Sequence, residues 1–203
     1  MIRFLGKLPR KCVVAFSGGI DSVAVADFLI RGKREVHLAF FNHGTQTSRD
    51  AEGFVRNFAK RREVSISVGH ISREKAKEES QEEFWRNERY RFLDAYDFPV
   101  VTAHHLDDAA ETWIFNSFHG NPRVIPYRRG NVIRPFLITR KDALKDWCIQ
   151  RNLDWMEDES NSDTSYMRNY IRHEVVPRAL EVNPGIHTVI MKKYLQEASG
   201  LTS

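Results

Sequence analysis

Over the first 118 residues, short apolar runs alternate with longer amphipathic ones, and that alternation leaves the chain few folds to choose from. Cys12-Val13-Val14-Ala15-Phe16 is a β-branched run that ends in Ser17-Gly18-Gly19, after which Asp21 to Ile30 reads as a helix. Glu35 to Phe41 predicts a second strand. Ser48 to Arg62 predicts a helix, with Ala51, Phe54, Val55, Phe58 and Ala59 at spacings of three and four and Ser48 or Asp50 as its cap. Val64 to Val68 reads as a third strand and Gln81 to Tyr96 as a long helix. Phe98 to Thr102 follows as a fourth strand and Asp107 to Phe118 as a further helix.

Strands alternating with helices at this rhythm imply a parallel sheet covered on both faces. Right-handed crossovers then make it doubly wound, a Rossmann-like α/β fold. Ligands of such sheets bind beyond the carboxyl ends of the strands. The unusual residues stand there: Ser17-Gly18-Gly19, Asn42-His43-Gly44 and His104-His105.

After residue 119 the texture changes. Gly120 to Asn131 is a basic loop punctuated by Gly and Pro, Thr139 to Asn152 predicts a helix, and Ser165 to Leu180 another. The expected division is a core over residues 1–119 and, over 120–203, a basic loop with a mostly helical extension packed on that core.

Composition narrows the partners. Lys and Arg number 31 against 27 Asp and Glu, a net charge of +4 over 203 residues, which permits a polyanionic partner without requiring one. The two cysteines, Cys12 and Cys148, form no CxxC, so neither a disulfide framework nor a cysteine zinc site is encoded. No window approaches the roughly 18 apolar residues of a membrane span, and the N-terminus lacks a signal-peptide core. A cytoplasmic protein with no membrane partner is expected.

Ser17-Gly18-Gly19-Ile20-Asp21-Ser22 carries chemistry because two glycines let backbone approach a phosphate while a helix N-terminus offers unpaired N–H groups. Asp21 would repel that phosphate unless a cation intervenes. Mg²⁺, held by one or two carboxylates together with phosphate oxygens, resolves the conflict. The loop lacks the lysine of a Walker motif and is not GxGxxG. Further along, Asp107, Asp108 and Glu111 crowd one turn, so that either Asp107 or Asp108 shares a helix face with Glu111.

The Ser-Gly-Gly-x-Asp-Ser loop after the first strand resembles that of the N-type ATP pyrophosphatases, the PP-loop superfamily. His104-His105-Leu106-Asp107-Asp108-Ala109-Ala110-Glu111-Thr112 is similar to the HHxxDDxxET motif of its tRNA(Ile)-lysidine synthetase branch. Arg86 to Tyr90 resembles that branch's Arg-x-x-Arg-Tyr helix, and Ile133-Arg134-Pro135-Phe136-Leu137 its Ile-Arg-Pro-Leu-Leu. Glu157-Asp158-Glu159-Ser160-Asn161-Ser162-Asp163 and Arg168-Asn169-Tyr170-Ile171-Arg172 complete the series. Two positions depart from the pattern, since Gln46 and His119 stand where the branch carries arginine.

The resemblance implies an ATP- and Mg²⁺-dependent ligase acting on an isoleucine tRNA with a CAU anticodon, using free lysine to convert the wobble cytidine to lysidine. It implies that Ser17, Gly18, Gly19, Ile20, Asp21, Ser22 and His43 bind ATP, with Asp21 also holding the metal. Catalytic roles are implied for Asp21, His104, Asp108, Glu111, Arg86 and Arg172, with Asp108 as the first candidate and Glu111 as the second for receiving the lysine ammonium. The basic segment Arg123 to Arg134 is the candidate tRNA surface. Another PP-loop enzyme, such as a tRNA thiolase or an amidating synthetase, and a catalytically weakened nucleotide or tRNA binder are the alternatives.

Overall fold

A computed structural model of the chain describes residues 1–157, 164 and 167–200. Eight of its elements alternate strand and helix as expected. They are β1 (Lys11–Ala15), α1 (Ile20–Arg31), β2 (Glu35–Asn42), α2 (Gln46–Arg61), β3 (Ser65–His70), α3 (Gln81–Asp94), β4 (Val100–Val101) and α4 (Leu106–Phe118). Two short strands follow, β5 (Arg128–Arg129) and β6 (Val132–Ile133), then α5 (Lys141–Gln150). The C-terminal part runs through α6 (Met167–Tyr170), a π-helical stretch over Ile171–Val175, α7 (Val176–Val182) and α8 (Ile186–Gly200).

The strands form one sheet in the order β3-β2-β1-β4-β6-β5, parallel throughout except for the last pair. This is a doubly wound α/β fold with a helical C-terminal part. From β1 the chain winds outward through β2 and β3, then returns to β1's other side to lay down β4. The crevice where the winding reverses lies between the carboxyl ends of β1 and β4, where such folds bind their ligands. Residues 120–137, expected to pack on the core, add strands to the core's own sheet, with Val132 and Ile133 in parallel register with Val100 and Val101.

Burial explains the strands. Cys12, Val13 and Val14 are buried, and Val13 and Val14 belong to separate apolar clusters, because a central parallel strand is covered on both faces. In α2, Ala51, Val55, Phe58 and Ala59 line one buried stripe. Its cap is Thr45, whose hydroxyl accepts the Ser48 N–H at 3.1 Å, where the sequence had pointed to Ser48 or Asp50. Behind the sheet, the fully buried Asp27 of α1 binds Arg31, Arg62 and the Trp147 indole at 2.7–2.9 Å, which ties α1, the end of α2 and α5 together.

Two glycines are fixed by space. Gly18 has φ +86°, and a Cβ there would sit 3.2 Å from Phe54 and Val55 of α2. A Cβ on Gly69 would lie 2.6 Å from the Phe92 ring, so α3 packs on β3 only because residue 69 has no side chain.

Candidate active site

The loop after β1 is held in shape by its own hydroxyls. Ser22 Oγ accepts the Gly18 N–H at 3.1 Å and donates to Gly19 O at 2.9 Å, while Ser17 Oγ accepts the Gly19 N–H at 3.3 Å. From outside, Met156 N–H closes on Gly18 O at 2.9 Å. Gly19 caps α1 in extended conformation without a side-chain cap bond, and the helical ladder opens with Val23 N–H on Gly19 O. The amides of Ile20, Asp21 and Ser22 stand ahead of that ladder, the arrangement by which a helix start binds an anion.

Across the crevice, α4 opens with a reciprocal cap. Asp108 N–H donates to His105 Nδ1 at 3.2 Å, and His105 N–H donates to Asp108 Oδ2 at 3.0 Å. The His105 ring, 4% exposed, turns its Nε2 toward Asp21 Oδ2 at 3.5 Å, joining the two sides of the crevice. Asp21 Oδ1 is buried and has no hydrogen-bond partner. That orphaned oxygen suits a cation, and a single carboxylate oxygen completed by phosphate oxygens is what Mg²⁺ accepts. Among the described residues, no group of three or more His, Cys, Asp or Glu stands ready to hold a metal by itself, so phosphate oxygens would have to supply the other ligands.

The structure separates the three acids of α4. Asp108 and Glu111 share a face and meet one guanidinium, Arg172, whose Nε donates to Glu111 Oε2 at 2.7 Å while an Nη lies 3.5 Å from Asp108 Oδ1. Arg172 sits in the π-helical stretch, and such irregular turns recur at functional sites. Asp107 points elsewhere. It accepts the Lys141 N–H at 2.8 Å and pairs with Arg140 and with His187 of α8 at 3.3 and 3.2 Å. Burial raises its pKa, yet those partners outweigh burial and hold the carboxyl well below the usual range.

His104 donates to or accepts from Thr102 Oγ1 at 2.7 Å. Burial pushes its pKa down to about 4, with Asp108 opposing and Arg134 and Arg89 assisting. His43, at the end of β2, lies against Phe41 and Trp85 with ring centroids 5.0 and 5.4 Å away, and its Nδ1 is a buried atom without a partner. Burial, aided by Arg89, likewise takes it to about 4. Burial also works against charging His105, but Asp108, Asp21 and Asp107 overcome it and raise the pKa.

These shifts set a pH dependence. His43 and His104 bind protons in the unfolded chain below pH 6.5 but in the folded chain only near pH 4, so stability falls as pH drops across that window. His105, raised, contributes fully below 6.5 and loses its contribution only at higher pH, so it does not cancel the fall. Urea midpoints measured from pH 7 to pH 5 are expected to decrease, and less so in His43→Gln. A flat profile would contradict the buried, neutral state of both rings.

Arg86 does not reach the acids. Its guanidinium lies 5.7 Å from the Tyr90 ring, in company with Arg129 at 4.3 Å and Arg89 at 5.9 Å, while buried Arg134 donates to the Tyr90 hydroxyl at 2.9 Å. Arg134 is 3% exposed and also donates to Pro126 O, so the exposed basic surface of its segment narrows to Arg123, Arg128 and Arg129. The acidic motif Asp158 to Asp163 lies outside the described residues.

The model of the PP-loop domain matches residues 3–179. The chain belongs to the PP-loop domain family. Curated relatives of this PP-loop chain include the tRNA(Ile)-lysidine synthase of Vibrio parahaemolyticus, 32% identical over 199 residues, and that of Exiguobacterium sibiricum, 31% identical over 191. The matches cover 90% and 88% of this chain but 45% and 46% of those proteins, so the PP-loop chain spans about half the length of the relatives it matches. The PP-loop domain is an ATP-binding domain, and the two relatives named above are tRNA-modifying enzymes. Among the described residues, no helix is long and apolar enough to cross a membrane.

Proposed function

We propose that the chain adenylates the wobble cytidine of an isoleucine tRNA bearing a CAU anticodon and replaces the adenylate with lysine. The observation that carries this reading is the convergence, at the reversal of the sheet, of an uncapped helix start with Asp21 and a carboxylate pair, Asp108 and Glu111, around Arg172. The first group suits a nucleotide polyphosphate. The second suits a primary ammonium, which a carboxylate pairs with and orients.

In the first step the cytidine C2 oxygen attacks the α-phosphorus of ATP, the bond to the β-phosphate oxygen breaks and pyrophosphate leaves. Ser17, Gly18, Gly19, Ile20 and Ser22 hold the departing phosphates, Asp21 holds Mg²⁺, and His43 lines the nucleotide side. Mg²⁺, when bound there, would supply neutralisation of the phosphate charge. Arg86, with its neighbours around Tyr90, faces tRNA phosphate as a planar fork does. In the second step the lysine ε-amine attacks C2 and AMP leaves. Asp108 and Glu111 hold the incoming ammonium, Arg172 fixes those carboxylates, one proton passes to solvent before attack, and neutral His104 takes the second proton, which the nitrogen sheds as the carbon–nitrogen bond forms.

The test supplies Mg-ATP, labelled lysine and tRNA transcripts differing at the wobble position. Label entering tRNA only with cytidine there is the expected result. Pyrophosphate release without lysine incorporation would instead assign the crevice to a different acceptor.

A further inference from the structure

His105 stands between the two carboxylates to which the reading above gives separate tasks, and none of the roles assigned so far uses it. Its ring is buried, with Nδ1 on the side of Asp108 and Asp107, whose carboxylate oxygens lie 3.5 and 3.8 Å away, and Nε2 on the side of Asp21. Nδ1 accepts the Asp108 N–H at 3.2 Å, so in the neutral ring the hydrogen is on Nε2, which faces Asp21 Oδ2 at 3.5 Å. The two oxygens of Asp21 therefore differ. Oδ2 has an imidazole N–H before it, whereas Oδ1 is buried with no partner at all. A carboxylate fixed in this way offers a cation one oxygen, which suits a small octahedral ion that takes carboxylates singly.

We infer that His105 is a positioning residue that holds Asp21 by Oδ2 so that Oδ1 alone is presented to the divalent cation. The inference rests on the reading of Asp21 as the metal carboxylate. Because the same ring caps α4, it also sets the distance between that carboxylate and Asp108. A partner of this kind, outside the ligands themselves, typically changes metal affinity by about 10- to 100-fold when removed.

Asparagine separates the two jobs of the ring. Its side-chain oxygen caps a helix as well as any residue does, but it is too short to reach Asp21. The measurement is Mn²⁺ binding by electron paramagnetic resonance, in the presence of a non-hydrolysable ATP analogue, for the wild type, Asp21→Asn and His105→Asn. Loss of binding in Asp21→Asn, with binding about tenfold weaker in His105→Asn at a near-wild-type melting temperature, is the expected result. Wild-type affinity in His105→Asn alongside loss in Asp21→Asn would overturn the role of His105 and leave that of Asp21 standing. Unchanged binding in Asp21→Asn would overturn the metal reading itself. Should His105→Asn fail to fold, ¹⁵N resonances of the wild-type ring at alkaline pH decide the matter, with the Nε2–H tautomer expected and Nδ1–H overturning the inference.

Discussion

Replacing Asp21 with alanine is expected to lower pyrophosphate release from Mg-ATP, in the presence of isoleucine tRNA, by at least about a hundredfold, the scale on which a single preorganised electrostatic partner acts. Asp21 lies in the first turn of α1, where the amides of Ile20, Asp21 and Ser22 attract phosphate and the carboxylate repels it. That opposition makes sense only with a cation between them. Without the carboxylate the phosphate still meets the helix start, so nucleotide affinity in the absence of metal should be kept or improved. Calorimetric titration of ATP in a chelator checks this second half. Weaker metal-free binding in the variant would mean that Asp21 serves the loop's shape rather than a cation.

At Asp108, alanine is expected to spare adenylation and block lysine transfer. Alanine also breaks the reciprocal cap with His105, at a cost of about 1 kcal/mol, so asparagine is the cleaner change. It keeps an oxygen for the His105 N–H while removing the charge that would meet the ammonium. Pyrophosphate release at near-wild-type rate, with labelled lysine incorporation lost in both variants, is the expected pattern. Wild-type lysine transfer in Asp108→Asn would shift the ammonium site to Glu111, which the same Arg172 holds at 2.7 Å.

The parallel core was legible because buried strands and amphipathic helices write different periods, and the crevice followed from where glycine, histidine and carboxylate interrupt them. The division of labour between Asp107 and Asp108 was not legible. Both spacings to Glu111 fit one helical turn, and only the packing of α5 and α8 draws Asp107 away. β5 and β6 escaped notice because two-residue strands carry no period, and Arg134 because a buried arginine reads like its exposed neighbours. His105 did leave a signal: a polar residue just before a helix with a carboxylate three positions on is the spacing of a reciprocal cap.

The two borders of the sheet differ in a way that bears on how copies of the protein behave when concentrated. At one border β5 consists of two exposed arginines, a strand so short and so charged that another chain gains little by pairing with it. At the other, Ser65 to His70 runs six residues without Lys, Arg, Asp, Glu or Pro, and two of its serines are engaged sideways by His37. Unpaired strand backbone invites further strands, and it is the β3 border that lacks the charged safeguard. The charge that guards the sheet against strand addition is thus concentrated at one border, with Arg128 and Arg129.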